Sequence, residues 1–149
     1  MIYVVRHAHA GDPTKWKGPD ELRPLSQKGW KQARALAGQI DGVERLLSSH
    51  YLRCRQTLEP LAERLGLPIE AEPRLVEGTP FRDFLELVTT PAPATAMCTH
   101  GDIVESLVEY LLSKRLADPD KAGSSKASTW ALEVEDGDIK RARYIPPPG

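Results

Sequence analysis

Two histidines stand close together just after a short apolar run near the start of the chain, in the stretch VVRHAHAGD (residues 4–12). Arg6 comes directly before His7, and His9 follows two residues later. Two chemistries use histidines placed this way at the end of a strand. Two imidazoles on one face can bind a metal ion, whereas one neutral imidazole beside an arginine can attack the phosphorus of a phosphate group.

A metal site would need more ligands than this stretch supplies. A working site requires at least a third ligand at recognisable spacing, but only His50 and His100 remain and no second cluster accompanies them. The charge of Arg6 would also oppose a nearby dication. The sequence therefore predicts neither a metal nor another cofactor.

The phosphate interpretation uses residues from three parts of the chain. One neutral imidazole would attack phosphorus, while arginines, which stay charged and bind phosphate bidentately, hold the phosphoryl oxygens. A second imidazole would stabilise the charge that develops in the transition state. The alternative, in which His7 and His9 are ordinary polar residues at a strand end, leaves Arg53 and His100 unexplained.

Strand-like and helix-like patterns alternate along the chain. Strands are predicted at residues 2–6, 43–49, 69–71 and 94–99, followed by a hairpin of STWALEVE and IKRARYI around EDGD. Helices are predicted from the N-cap Ser26 to about Ile40, from Leu52 to Leu65 with Gly66 ending it, at Phe81–Val88, and after Asp102 as a cap. Pro60 predicts a kink or a late start in the second of these helices.

This alternation predicts an α/β fold, a three-layer sandwich with a mainly parallel central sheet flanked by helices and a C-terminal hairpin. In such sheets, ligands bind beyond the carboxyl ends of the strands. Three predicted strands end in polar residues suited to a site there: Arg6-His7, Ser48-Ser49 with Arg53 shortly after, and Thr99-His100.

Composition limits the other possibilities. The 149 residues fit a single domain spanning 1–149. Twenty basic and twenty-one acidic residues provide no overall field for nucleic acid or an anionic membrane, so neither partner is expected. No apolar run approaches the ~20 residues of a membrane span, the opening residues do not form a signal peptide, and a cytoplasmic protein is expected.

Four ordered blocks resemble the histidine phosphatase superfamily, also called phosphoglycerate mutase-like. They are RHAHA (6–10), LSQKGWKQA (25–33), SSHYLRCRQTLE (48–59) and CTHGDIV (98–104). The resemblance implies a phosphatase whose nucleophile, His7, forms a phosphohistidine, and a phosphate pocket made by Arg6, Arg53 and His100. His9 falls at a variable position of the motif and receives no role.

The same resemblance implies a general acid and a small cap. Glu77 matches a glutamate that many members of the superfamily carry after the third strand, where it would protonate the leaving group. Only about twenty residues separate this loop from the second histidine block, so the pocket should be shallow and open. A cysteine-based phosphatase is excluded, because neither Cys54 nor Cys98 is followed six residues later by an arginine.

The compact length and the RHAHAG start resemble bacterial phosphohistidine phosphatases, which implies phosphohistidine on a protein, or another phosphate ester, as substrate. The segments KASTWALEV and YLRCRQTLEPLAERLG also resemble the phosphatase half of certain two-part Nudix hydrolases, which implies a nucleotide. A non-catalytic module that binds a phosphorylated ligand is the third alternative.

Overall fold

A computed structural model describes residues 1–149 and contains one six-stranded sheet with four α-helices. The strands are β1 (Ile2–Arg6), β2 (Arg45–Ser48), β3 (Ile69–Ala71), β4 (Thr95–Thr99), β5 (Thr129–Glu135) and β6 (Asp138–Ile145). The helices are α1 (Gln27–Ala37), α2 (Leu52–Leu65), α3 (Phe81–Thr89) and α4 (Gly101–Ser113). No helix is long and apolar enough to cross a membrane.

The order of the strands brings the predicted site residues to one edge of the sheet. The order is β3-β2-β4-β1-β5-β6, with parallel pairing from β3 to β1 and antiparallel pairing from β1 to β6. Arg6 is in register with Thr99, and Ser48 is in register with Cys98. The carboxyl ends of β1, β4 and β2 therefore lie side by side, and the predicted α/β class with a mainly parallel sheet is confirmed.

Alternating strand residues build a core on each face of the sheet. Val4 packs in a cluster with residues of α3 and α4, whereas Val5 packs in a cluster with residues of α1 and α2. Both valines are fully buried. Successive side chains of a strand point to opposite faces. Helices cover both faces of this sheet, which is why its central strands are largely apolar and β4 is buried along its whole length.

Several predicted element boundaries are confirmed. The hydroxyl of Ser26 accepts a hydrogen bond from the backbone N–H of Gly29 and caps α1, which ends at Ala37 rather than near Ile40. Gly66 ends α2 in the left-handed conformation (φ 67°) that glycine adopts without strain. The hairpin turns at Asp136 and Gly137, both with positive φ, as a type I′ turn requires.

Two local predictions are wrong. Asp102 is not the cap of α4, because the helix begins at Gly101 directly after the strand and His100 occupies the N-cap position. The carboxylate of Asp102 lies in the first turn and accepts a hydrogen bond from the N–H of Gly78 at 2.8 Å. Helix α2 begins at Leu52 and includes Pro60, so a late start is wrong, while a kink stays a prediction.

Candidate active site

A polar cavity of about 290 Å³ opens at the carboxyl end of the sheet. Arg6 and His7 enter it from the end of β1, and Arg53 enters from the first turn of α2. His100, at the junction of β4 and α4, is fully buried, and its ring centroid lies 5.7 Å from that of His7. The structure therefore brings together the predicted nucleophile and the three predicted phosphate-binding residues.

The orientation of the His7 ring is fixed by the backbone. Its Nδ1 lies 2.8 Å from the carbonyl oxygen of Ala8, and a carbonyl can only accept, so Nδ1 carries the proton and Nε2 has the free lone pair. The N–H of Ala8 donates to the hydroxyl of Thr57, and the N–H of His7 donates to the carbonyl of Thr99. These bonds fix the strand end and the tautomer that a nucleophilic imidazole needs.

Burial lowers the pKa of His7 from 6.5 to about 3. The hydrogen bond to the carbonyl of Ala8 opposes this shift, whereas the electrostatic effects of Arg53, His100 and Arg6 reinforce it. The imidazole is therefore neutral at neutral pH, with its lone pair available.

This pKa also predicts how stability changes with pH. Between pH 3 and 6.5 the unfolded chain binds a proton at His7 that the folded chain does not, so this residue lowers stability as the pH falls through that window. The contribution is about 2 kcal/mol of unfolding free energy between about pH 7.5 and pH 5. Urea titrations should show a drop smaller by about this amount in His7→Asn than in the wild type. Equal drops in the two proteins would contradict the neutral, buried His7.

Arg6 is held by close packing against the start of α4. Its Nη1 donates to the carbonyl of Ser124 at 2.8 Å. A Cβ atom at Gly101 would lie only 2.6 Å from Cζ of Arg6, so any larger residue at 101 would displace the guanidinium. The glycine of the CTHGDIV block thus leaves room for the arginine of the RHAHA block.

Arg53 is 1% exposed and is held by a residue that the sequence did not single out. Its two terminal nitrogens donate to the carbonyl and the carboxylate of Asp20, at 2.9 and 3.0 Å. Burial works against ionisation of Asp20, but hydrogen bonds and charge from Arg23 and Arg53 outweigh it and hold the pKa of Asp20 below its ordinary value. Arg55, two residues further along α2, does not line the cavity.

His100 and Glu77 face each other across the mouth of the cavity. Nε2 of His100 lies 2.9 Å from the hydroxyl of Ser49, and its Nδ1 lies 3.7 Å from a carboxylate oxygen of Glu77. The same oxygen lies 3.5 Å from Nη2 of Arg53. The Glu77 side chain is half exposed, and its loop is held by the bond from Gly78 to Asp102.

His9 turns away from the cavity. Its Nδ1 lies 2.6 Å from the hydroxyl of Ser26, and its backbone N–H donates to the side chain of Gln32, so it fastens the strand end to α1. His50 pairs with Glu21 on the surface. No group of three or more His, Cys, Asp or Glu side chains lies close enough together to hold a metal ion.

Sequence reasoning missed four charged residues of the cavity wall. They are Arg23, Asp102, Glu105 and Lys126. Asp20, whose carboxylate accepts a hydrogen bond from Arg53, was missed as well. Asp20, Arg23 and Lys126 belong to loops with no periodic pattern, so no sequence signal marks them. Asp102 was noticed only as a cap.

Three nitrogens of this site are buried without a hydrogen-bond partner: Arg6 Nε, Arg53 Nε and His100 Nδ1. Buried polar groups are nearly always paired, because an unpaired one costs about 1–3 kcal/mol. These three nitrogens belong to residues of the His7 site and can each still form a hydrogen bond. Together they suit an anion with several oxygens.

Comparison with known proteins agrees with this geometry. Residues 2–79 match the model of the histidine phosphatase superfamily (branch 1). The chain belongs to this superfamily. It is 33% identical to the phosphohistidine phosphatase SixA of Escherichia coli (strain K12) over 122 residues, which covers 74% of this chain and 73% of SixA. The predicted family, its compact SixA-like branch and the phosphatase class are confirmed.

Two further similarities extend over nearly the whole chain. It is 36% identical over 156 residues to the 8-oxo-(d)GTP phosphatase of Mycolicibacterium smegmatis, covering 99% of this chain but 48% of that protein, so it spans about half of that relative's length. A solved structure of SixA complexed with tungstate superposes with a TM-score of 0.68 at 25% identity, covering 96% of this chain and 92% of the other.

Proposed function

We propose that this phosphatase transfers the phosphoryl group of its substrate to Nε2 of His7 and then to water, without a metal ion. As the bond from nitrogen to phosphorus forms, the bond from phosphorus to the leaving group breaks, and Glu77 donates a proton to the departing atom. The Glu77 carboxylate then takes a proton from a water molecule whose oxygen attacks phosphorus. The bond from phosphorus to Nε2 breaks, which releases orthophosphate, restores the neutral imidazole and returns Glu77 to its acid form. Arg6, Arg53 and His100 bind the phosphoryl oxygens throughout.

The observation that carries this proposal is the set of unpaired buried nitrogens around His7. Arg6 Nε, Arg53 Nε and His100 Nδ1 belong to three different elements, yet all lie without partners in the same site. A phosphoryl group offers three oxygens, and each charge-assisted contact is worth about 1.5–3 kcal/mol. Positioning of this kind supplies most of the catalysis of phosphoryl transfer.

The substrate is proposed to be phosphohistidine on a protein or another phosphate ester. The similarity to SixA supports phosphohistidine, and so does the short cap, since one 3-10 turn and α3 are the only helices between β3 and β4. A nucleotide is the second candidate, supported by the match of nearly the whole chain to one part of the 8-oxo-(d)GTP phosphatase.

The proposed unit of function is a single phosphatase domain spanning residues 1–149 with a minimal cap, acting in the cytoplasm. The continuous sheet supports one domain. Two buried cysteines that form no disulfide are in keeping with a reducing compartment.

Hydrolysis of p-nitrophenyl phosphate in excess chelator tests the proposed chemistry. Turnover should be unaffected by the chelator, and vanadate should inhibit it in competition with the substrate. Loss of activity with chelator and its recovery with zinc would contradict the proposal. Vanadate binding without any turnover would instead identify a non-catalytic module that binds phosphorylated ligands.

A further inference from the structure

The loop before β5 carries a lysine into the cavity and is fastened to the nucleophile's own strand. Lys126 lines the same cavity as Arg6 and His7. The N–H of Ala127 donates to the carbonyls of Arg6 and His7 at 3.0 and 3.2 Å, and the N–H of Arg6 donates to the carbonyl of Ser128 at 3.0 Å. The backbone beside Lys126 is therefore held at a fixed place relative to β1, and the lysine side chain lines the cavity of His7.

The backbone of this loop is strained at one position. Ala127 has a positive φ of 65°, an uncommon conformation for a residue with a side chain, and it is fully buried. Such strain costs about 1–3 kcal/mol and persists only where surrounding contacts hold it in place. Here those contacts are the hydrogen bonds to β1, which keep the neighbouring lysine beside the site.

The charged groups that act most strongly on Lys126 are cations, although three carboxylates line the same cavity. Burial lowers its pKa, and the neighbouring charges that add to this shift are all positive, from Arg6, Arg23, Lys28 and Arg53. An ammonium group placed among cations repels them unless an anion lies between the charges. Lys126 thus differs from Arg53 and Arg23, which share the carboxylate of Asp20.

The cavity has more cations than one phosphoryl group requires. It is lined by four cationic side chains and three acidic ones: Arg6, Arg23, Arg53, Lys126, Glu77, Asp102 and Glu105. Arg6, Arg53 and the buried His100 are sufficient for the phosphoryl group that is transferred. Arg23 is occupied by Asp20 and by the carbonyl of Ala10, so Lys126 is the cation left for a second anionic group.

We propose that Lys126 binds a second phosphate of the substrate, next to the phosphoryl group that His7 receives. This favours the nucleotide over phosphohistidine among the two proposed substrates, and the substrate is then a phosphoanhydride such as a nucleoside diphosphate. This inference rests on the proposed function, because it assumes phosphoryl transfer to His7. Nε2 of His7 attacks the terminal phosphorus, and the bond from that phosphorus to the bridging oxygen breaks. The electron pair stays on the bridging oxygen of the departing monophosphate, whose charge Lys126 neutralises, and water then releases orthophosphate from His7.

Such a substrate also fits the exposed position of Glu77. A phosphate monoester is a good leaving group and depends little on protonation, so a half-exposed carboxylate at the mouth of the cavity is sufficient. Lys126 stabilises the charge that develops on the leaving group, a role that suits a cation lining the same cavity as His7.

The test compares guanosine diphosphate with p-nitrophenyl phosphate, which has a single phosphate. The measured quantity is kcat/KM for the diphosphate divided by kcat/KM for the aryl phosphate. The two leaving groups differ in the same way in every variant, so a change in this ratio between variants reports the effect of the substitution. Lys126→Met should lower the ratio by about 10–100-fold, the usual effect of losing one charge-assisted contact. Lys126→Arg, which keeps the positive charge, should have a ratio close to that of the wild type.

Lys121→Met is the matched control, because Lys121 lines a separate cavity beside Trp130 and Tyr144 and its loss should leave both activities unchanged. Three results would overturn the binding of a second phosphate by Lys126 while leaving the proposed function intact. The first is a wild type that hydrolyses the aryl phosphate but not the diphosphate, and the second is an unchanged ratio in Lys126→Met. The third is a loss of kcat/KM in Lys126→Met that is as large with a phosphohistidine peptide as with the diphosphate. Failure of the wild type to hydrolyse any of these substrates would refute the proposed function itself.

Discussion

Replacing His7 by alanine should lower kcat by on the order of 10⁴-fold or more with every phosphate substrate, because the covalent route through a phosphohistidine no longer exists. The loss should not depend on the leaving group, since His7 forms the new bond in every case. Steady-state rates with an aryl phosphate, an alkyl phosphate and a phosphohistidine peptide measure it.

His9→Ala is the matched control for this experiment. His9 belongs to the same segment, but its ring contacts Ser26 at the start of α1 and does not line the cavity. Its loss should change kcat less than about threefold in protein that remains folded, the scale expected away from the reacting groups. Undiminished turnover in His7→Ala, or equal losses in the two variants, would contradict the assignment of His7.

The second large effect is expected at Glu77 and depends on the leaving group. With an alkyl phosphate, whose alkoxide departs poorly, Glu77→Gln should lower kcat/KM by about 10²–10⁴-fold, the usual contribution of a positioned acid. With p-nitrophenyl phosphate the loss should be small, because the phenolate departs readily. Phosphohistidine should fall near the insensitive end, because imidazole is also a good leaving group. The measurement is kcat/KM across this series.

Glu105→Gln provides the control, because this carboxylate also lines the cavity but is not paired with Arg53 or His100. It should show no trend with leaving group. If Glu77→Gln slows all substrates by a similar factor, Glu77 only shapes its loop and has no part in proton transfer. That result would leave His7 as the nucleophile.

The fold could be predicted because its signals are local. The opening strand is apolar without interruption, and Val4 and Val5 face opposite cores, as expected for a strand covered on both sides. Ser26, Gly66 and the Asp136-Gly137 turn each fix a boundary through their own chemistry. The N-cap of α4 was mispredicted because Asp102 is a good capping residue, although the backbone of β4 turns directly into the helix at His100.

The candidate site was predictable only where it coincides with strand ends and motif blocks. Arg6, His7 and His100 follow strands, and their convergence follows from parallel neighbours in the sheet. Asp20 and Lys126 reach the site through loops whose paths depend on tertiary contacts, such as the hydrogen bonds of Ala127 to β1. No periodicity or local motif encodes such contacts, so these residues emerge only from the structure.

Detection of the phosphorylated enzyme is the most direct test of His7 as the nucleophile. The enzyme is mixed rapidly with p-nitrophenyl phosphate, quenched in alkaline denaturant, in which phosphohistidine survives, and its peptides are analysed by mass spectrometry. We expect one phosphoryl group, on His7, in wild-type and His9→Ala protein, and none in His7→Ala. Phosphate on another residue would contradict the assignment of His7. So would direct attack of water on the substrate in the wild type, which a chiral phosphate ester reveals as inversion at phosphorus.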